Sequence, residues 1–121
     1  MRKRFMLLVA LVGIISWAAV SRGVAGAVIE PRRVEVTAKR YAFEPAEVTL
    51  KKGQPVILVL KSVDVAHGLR CRELGLDVKV RKGGTAELRF TPSKTGDFVG
   101  HCSVFCGSGH GAMIWTIHVV D

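Results

Sequence analysis

The chain has 121 residues, with 18 Lys and Arg against 10 Asp and Glu and a formal net charge of +8. This length accommodates one folded domain and excludes two. The basic residues occur singly or in pairs rather than as a stripe with interleaved aromatic residues, which argues against a nucleic-acid partner. The charge supports no more than a mild preference for an acidic partner.

Residues 1–27 predict a secretory signal peptide or a short membrane anchor. "MRKR" is cationic, Phe5 to Val20 is apolar, and the small residues Ala25 and Ala27 suit cleavage after Ala27. A spanning helix needs about 20 apolar residues, so the shorter run here favours cleavage, with an uncleaved anchor as the alternative. Either interpretation predicts export of residues 28–121, to the periplasm or the outer face of the cytoplasmic membrane. Only an uncleaved N-terminal segment would place this chain in a membrane.

The first strands of the remaining domain are indicated by alternating apolar residues. Val34, Val36 and Ala38 lie on one face of a predicted strand, and Val48 and Leu50 on one face of the next. The run "VILVL", residues 56–60, is continuously apolar, which is typical of a strand buried on both faces.

The second half of the domain continues this pattern. Strands are predicted in "TAELRFTP", "GDFVGHC" and "MIWTIHVVD", and the breaks between strands carry Gly or Pro. No stretch has a convincing helical period. Seven or so short strands in 94 residues predict a single all-β domain over residues 28–121, an antiparallel Greek-key β-sandwich.

One segment, "HCSVFCGSGHGAM", concentrates sulfur and imidazole side chains. Its spacing is C-x3-C-x3-H-x2-M, from Cys102 through Cys106 and His110 to Met113. Thiolate, imidazole and thioether are ligands that select copper or zinc. A mononuclear blue-copper site uses one Cys, whereas two cysteines could bridge two copper ions.

A further histidine ligand has to come from elsewhere in the chain, and His67 in "VDVAHGL" is the candidate. It follows the buried strand and is predicted to lie in a loop. Loops distant in sequence gather at one end of a sandwich, so His67 can reach residues 102–113.

The sequence "CSVFCGSGHGAM", with "DVAHG" upstream, resembles the CuA site of cytochrome c oxidase subunit II, which is a cupredoxin domain. "YAFEPAEVTLKKGQPV" resembles the strand pair that opens such domains. The resemblance implies a binuclear, mixed-valence copper centre with two bridging thiolates, one imidazole on each copper ion, and a thioether and a main-chain carbonyl as weak ligands. The residues in these roles would be Cys102 and Cys106, His67 and His110, and Met113 and Val104.

Two features depart from the family. Its oxidases often have an acidic residue where this chain has Val104. Copper binding should survive, because the main-chain carbonyl is the ligand, but a magnesium link through that side chain should not. The single short apolar segment suggests a stand-alone exported domain or a minimal single-anchor subunit.

The resemblance implies electron transfer, with no catalysis by the domain alone. A redox protein such as a cytochrome c would be the donor. If the chain is the electron-entry subunit of a cytochrome c oxidase, the catalytic subunit would be the acceptor. Copper storage or delivery, a mononuclear type 1 copper site, a Cys102–Cys106 disulfide and structural zinc stay open as alternatives.

Other residues with possible chemistry are interpreted as structural. Cys71 is predicted to be a buried or half-buried strand residue. His101 is predicted to point away from the metal by alternation along its strand, and His118 to face solvent. Trp115 and Phe98 are predicted to belong to the core.

Overall fold

The computed structural model describes residues 29–121, so the predicted signal or anchor, residues 1–27, lies outside the described residues. The described chain forms nine strands and two short 3-10 helices. In chain order they are β1 (Arg32–Lys39), β2 (Ala42–Glu44), β3 (Glu47–Lys51), β4 (Val56–Ser62), β5 (His67–Cys71), η1 (Arg72–Leu74), β6 (Leu76–Val80), β7 (Thr85–Phe90), β8 (Gly96–His101), η2 (His110–Ala112) and β9 (Ile114–Val120).

The strands form two sheets, which confirms the predicted all-β sandwich. The four-stranded sheet has the order β2-β1-β4-β7, and the five-stranded sheet has the order β3-β9-β8-β5-β6. Most neighbouring strands are antiparallel, but β1 pairs with β4 and β3 pairs with β9 in parallel. Both parallel pairings join strands that are not consecutive in the chain, because parallel neighbours cannot be connected by a tight hairpin.

The core lies between the sheets and is built from the predicted alternation. Val34, Val36 and Ala38 of β1 are buried, and so are Val48 and Leu50 of β3. In β9 the buried residues are Trp115, Ile117 and Val119, and the Trp115 indole donates a hydrogen bond to the Pro45 carbonyl at 3.0 Å. Phe98 is half-buried against this core. Fully burying a large apolar side chain contributes about 1.5–3 kcal/mol to the stability of the fold. The buried alternating residues of the strands therefore hold the two sheets together.

The expectation that His67 lies in a loop is wrong, because it is the first residue of β5. β5 pairs with β6 from His67↔Val80 to Cys71↔Leu76, and β6 was not predicted as a strand either. "HGLRC" contains little local strand signal, and the pairing with its neighbours determines its conformation. Cys71 closes β5 and is buried, as predicted.

Within residues 29–121, no helix is long and apolar enough to cross a membrane.

Candidate metal centre

The ligand loop, residues 102–113, connects β8 to β9 at one end of the sandwich. Its two ends are joined by a hydrogen bond from the Cys102 amide to the Met113 carbonyl at 3.1 Å. The Ser103 amide donates to the Gly68 carbonyl at 3.3 Å. The first hydrogen bond closes the loop where its two ends meet, and the second fixes it to β5, the strand that carries His67.

Gly68 allows this approach between the ligand loop and β5. A Cβ atom at this position would collide with the Ser103 hydroxyl and lie 3.2 Å from a methyl carbon of Val104. Any larger residue would push the loop away from His67. The glycine after His67 thus has a packing reason that the sequence alone does not reveal.

The two loop cysteines face each other. The sulfur atoms of Cys102 and Cys106 are 3.8 Å apart, both residues are buried, and both thiols are free. A disulfide has an S–S distance of about 2.05 Å, so the two sulfurs form a dithiol pair here rather than the alternative disulfide.

Each of these sulfurs has an imidazole beside it. Nδ1 of His67 is 3.9 Å from the Cys102 sulfur, and Nδ1 of His110 is 3.6 Å from the Cys106 sulfur. His67 is completely buried, whereas His110 is half-buried in the loop. Each thiol therefore has an imidazole neighbour, and all four side chains lie close together.

The two predicted weak ligands lie next to these four side chains. The Val104 carbonyl oxygen is 3.2 Å from the Cys102 sulfur, and the Met113 sulfur is 3.8 Å from the Cys106 sulfur. Met113 is completely buried. All six residues proposed from the sequence therefore meet at one end of the sandwich, and their assignment as metal ligands stays a prediction.

The donor atoms fit a soft or borderline metal ion. Ligand atoms of His67, Cys102 and Cys106 lie within 4.8 Å of one another, and all three residues are buried. Zinc could use the two cysteines and two histidines alone. The thioether of Met113 beside the thiols favours copper, because thioether sulfur is a ligand for soft copper ions.

Asp64 holds the imidazole of His67. Its Oδ1 lies 2.7 Å from Nε2 of His67 and accepts the Val65 amide at 2.6 Å, while its Oδ2 accepts the Arg40 amide at 2.7 Å. Burial would raise the pKa of Asp64, but these hydrogen bonds outweigh it and lower the pKa to about 2. The ionised carboxylate favours a proton on Nε2, which leaves Nδ1 free to face Cys102 as a ligand.

The Cys106 thiol is protonated in the metal-free chain. Burial, followed by the contact with Cys102, raises its pKa well above the ordinary value for cysteine. Metal binding to this site must therefore release protons, because thiolate is the ligand form of cysteine.

Arg40 and Tyr41 lie at the site although no sequence pattern indicated them. Arg40 Nε donates to the Cys106 carbonyl at 2.8 Å, and the Tyr41 ring lies against Gly107 and Gly109. Both residues belong to the turn between β1 and β2, more than 60 residues before the ligand loop. Only the tertiary fold could reveal their part in the site.

The remaining candidates lie outside this group of proposed ligands. His101 is exposed, as predicted. Cys71 donates to the Glu73 carboxylate at 3.4 Å, and burial together with this contact raises the pKa of its thiol. Cys71 is therefore a protonated structural residue.

Residues 5–114 match the cupredoxin-like domain family, and the chain belongs to that family. It is similar to cytochrome c oxidase subunit 2 of Thermus thermophilus, with 28% identity over 88 residues that cover 73% of this chain and 65% of the relative. It is 37% identical over 72 residues to a probable cytochrome c oxidase subunit 2 of Streptomyces coelicolor, covering 60% of this chain and 23% of the relative. The chain thus spans less than two thirds of these relatives.

A solved structure shows the same fold. The periplasmic domain of cytochrome oxidase subunit II of Bradyrhizobium japonicum superposes with a TM-score of 0.67 at 20% identity, over 78% of this chain and 88% of that domain.

Proposed function

We propose that this chain binds two copper ions in a CuA-type centre and serves as an exported electron-transfer domain. The facing pair of free sulfurs, 3.8 Å apart and each with an imidazole nitrogen within 3.9 Å, carries the proposal. Cys102 and Cys106 would bridge the ions and His67 and His110 would each ligate one. Met113 and the Val104 carbonyl would complete the set.

The bound copper would supply one-electron redox chemistry. The residues of the chain contribute a complete and rigid set of ligands. His67 and Met113 are fully buried and Cys102 and Cys106 nearly so, which excludes water from most of the site. With every proposed position filled by a protein atom, no place is left for a substrate, so electron transfer fits better than substrate activation.

A redox partner would approach the ligand-loop end of the sandwich. Phe105 is 79% exposed, and its ring lies 5.6 Å from the ring of His110. We propose that a partner contacts this exposed ring, because the ring lies beside the proposed ligand His110. The proposed donor is a redox protein such as a cytochrome c, and encounters of this kind are small and transient. The named relatives are oxidase subunits, which supports an oxidase catalytic subunit as the acceptor.

Single substitutions of the two loop cysteines test the bridged centre. Each variant, C102S and C106S, is loaded with copper and its visible absorption spectrum is compared with that of the wild type. A bridged pair needs both sulfurs, so each substitution is expected to abolish the wild-type spectrum. The C71A variant is the control and should keep it, because Cys71 contacts Glu73 rather than the site.

The single variants also separate the alternatives. If one of them retained the wild-type spectrum unchanged, the replaced sulfur would not be a bridging ligand and the proposal would be wrong. A wild-type protein that held only colourless Cu(I) and released it readily would indicate copper delivery instead.

A further inference from the structure

The β1–β2 turn, residues 40–41, contacts both halves of the candidate metal centre. The main-chain amide of Arg40 donates to Asp64, which in turn holds the imidazole of His67. The guanidinium of the same residue donates to the carbonyl of Cys106 at 2.8 Å in a half-buried position. One residue therefore joins the two segments that supply the proposed ligands.

Tyr41 adds a steric contact at the same place. A Cβ atom on Gly109 would lie 2.5 Å from Cδ2 of the Tyr41 ring, and one on Gly107 would collide with the Tyr41 hydroxyl. The ring thus lies directly on the backbone between Cys106 and His110. It covers the part of the ligand loop that Arg40 anchors.

We infer that the β1–β2 turn is a positioning element for the metal centre, with Arg40 fixing the Cys106 side of the site relative to the His67 side before metal binds. This inference rests on the proposed function for the identity of the metal, but the contacts that carry it belong to the metal-free chain. Neither Arg40 nor Tyr41 would touch the copper ions.

The two contacts made by Arg40 differ in how they depend on its side chain. The amide contact to Asp64 persists for any residue other than proline at position 40, because it uses the main chain. The contact to Cys106 needs a side-chain donor that reaches the loop, and hydrogen bonds from charged donors are the stronger kind. Removing the guanidinium therefore releases the loop selectively while His67 stays held.

The test compares R40Q with K39Q in the full chain. Both variants remove one positive charge, but Lys39 pairs with Glu44 at 2.7 Å, away from the ligand loop. Loss of a supporting hydrogen bond typically lowers metal affinity about 10–100-fold. We expect that loss of copper affinity for R40Q, measured by competition with a chelator, together with a shifted absorption spectrum. K39Q should match the wild type, and R40K should recover part of the affinity.

A second measurement uses the metal-free protein. The loop amides of His110, Ala112 and Met113 donate to loop carbonyls, so their hydrogen exchange reports how firmly the loop is held. R40Q should lose protection at these amides and K39Q should not. Equal protection and equal copper affinity in R40Q and the wild type would overturn the inference.

The two readouts separate this inference from the proposed function. If the wild type takes up no copper, the proposed function fails, and hydrogen exchange in the metal-free chain still decides the role of Arg40. If R40Q does not fold, R40L replaces it, because Leu keeps apolar bulk at this position but has no donor for the Cys106 carbonyl. K39L is its control, since Lys39 pairs with Glu44 away from the ligand loop. Equal copper affinity and equal loop protection in R40L and K39L would then overturn the inference.

Discussion

Gly109 and Gly111 lie two residues apart in the ligand loop but have different surroundings. A Cβ atom on Gly109 would lie 2.5 Å from one Tyr41 ring carbon and 2.6 Å from another. A Cβ atom on Gly111 would have no atom within 4 Å. The backbone of Gly109 has a φ of −89°, which alanine can also adopt, so a substitution there would test the steric contact alone.

We expect G109A to lower the free energy of unfolding by about 1–3 kcal/mol, because the added methyl group forces Tyr41 or the loop to move. G111A should change it by less than about 0.5 kcal/mol. Denaturant unfolding of the metal-free chain measures both. In a Y41A background the ring is absent, so G109A should lower the free energy of unfolding by less than it does in the wild type. Equal effects of G109A and G111A would contradict the placement of the Tyr41 ring.

The sequence identified the proposed ligands but not the residues that hold them. Four of these ligands share one short segment, so the sequence shows their spacing directly: Cys102, Cys106, His110 and Met113. Arg40 is 66 positions from its partner Cys106, and its contact depends on the turn between two strands. No local periodicity records such a contact, and a lone arginine in "AKRY" looks like an ordinary surface charge.

At the scale of elements, His118 connects three strands on the outer face of the five-stranded sheet. From β9, its Nε2 lies 3.0 Å from Glu47 of β3 and its Nδ1 lies 2.6 Å from Asp97 of β8. The hydrogen bond to Glu47, followed by the one to Asp97, raises the pKa of His118 above its ordinary value of 6.5. The histidine was predicted to face solvent, and its side chain is 35% exposed.

This raised pKa predicts a pH-dependent contribution to stability. The protonated form is favoured in the folded chain, so the contribution is fully present below pH 6.5 and is lost as the pH rises through the folded-state pKa. H118Q should therefore destabilise the protein more at pH 5.5 than at pH 8.5, as measured by denaturant unfolding at each pH. In an E47Q/D97N background this difference should disappear. A destabilisation independent of pH would contradict the charged cross-strand contact.

The strands differ in how well the sequence predicted them. β1, β3 and β9 alternate clearly between buried and exposed residues, because one face of each strand packs on the core. β5 has four buried residues out of five, including Gly68, which lies under the ligand loop. Its period-2 signal is therefore lost. Its partner β6 does alternate between buried and exposed residues over "LDVKV", so that strand could have been predicted from the sequence.

At the scale of the whole molecule, the site is assembled from three distant segments. The β1–β2 turn, the start of β5 with Asp64 before it, and the ligand loop meet only when the two sheets have packed. Arg40 follows β1 and His67 begins β5, and these two strands belong to different sheets. The packing of the two sheets therefore sets the distance between Arg40 and His67. A ligand set held in this way can keep its arrangement in both oxidation states of a bound metal.

Copper content and the electron paramagnetic resonance spectrum of the reconstituted protein decide whether the site is a two-copper centre. We expect two copper ions per chain, with one unpaired electron whose hyperfine pattern shows equal sharing between both ions. One copper ion per chain, with the hyperfine pattern of an isolated Cu(II), would contradict it.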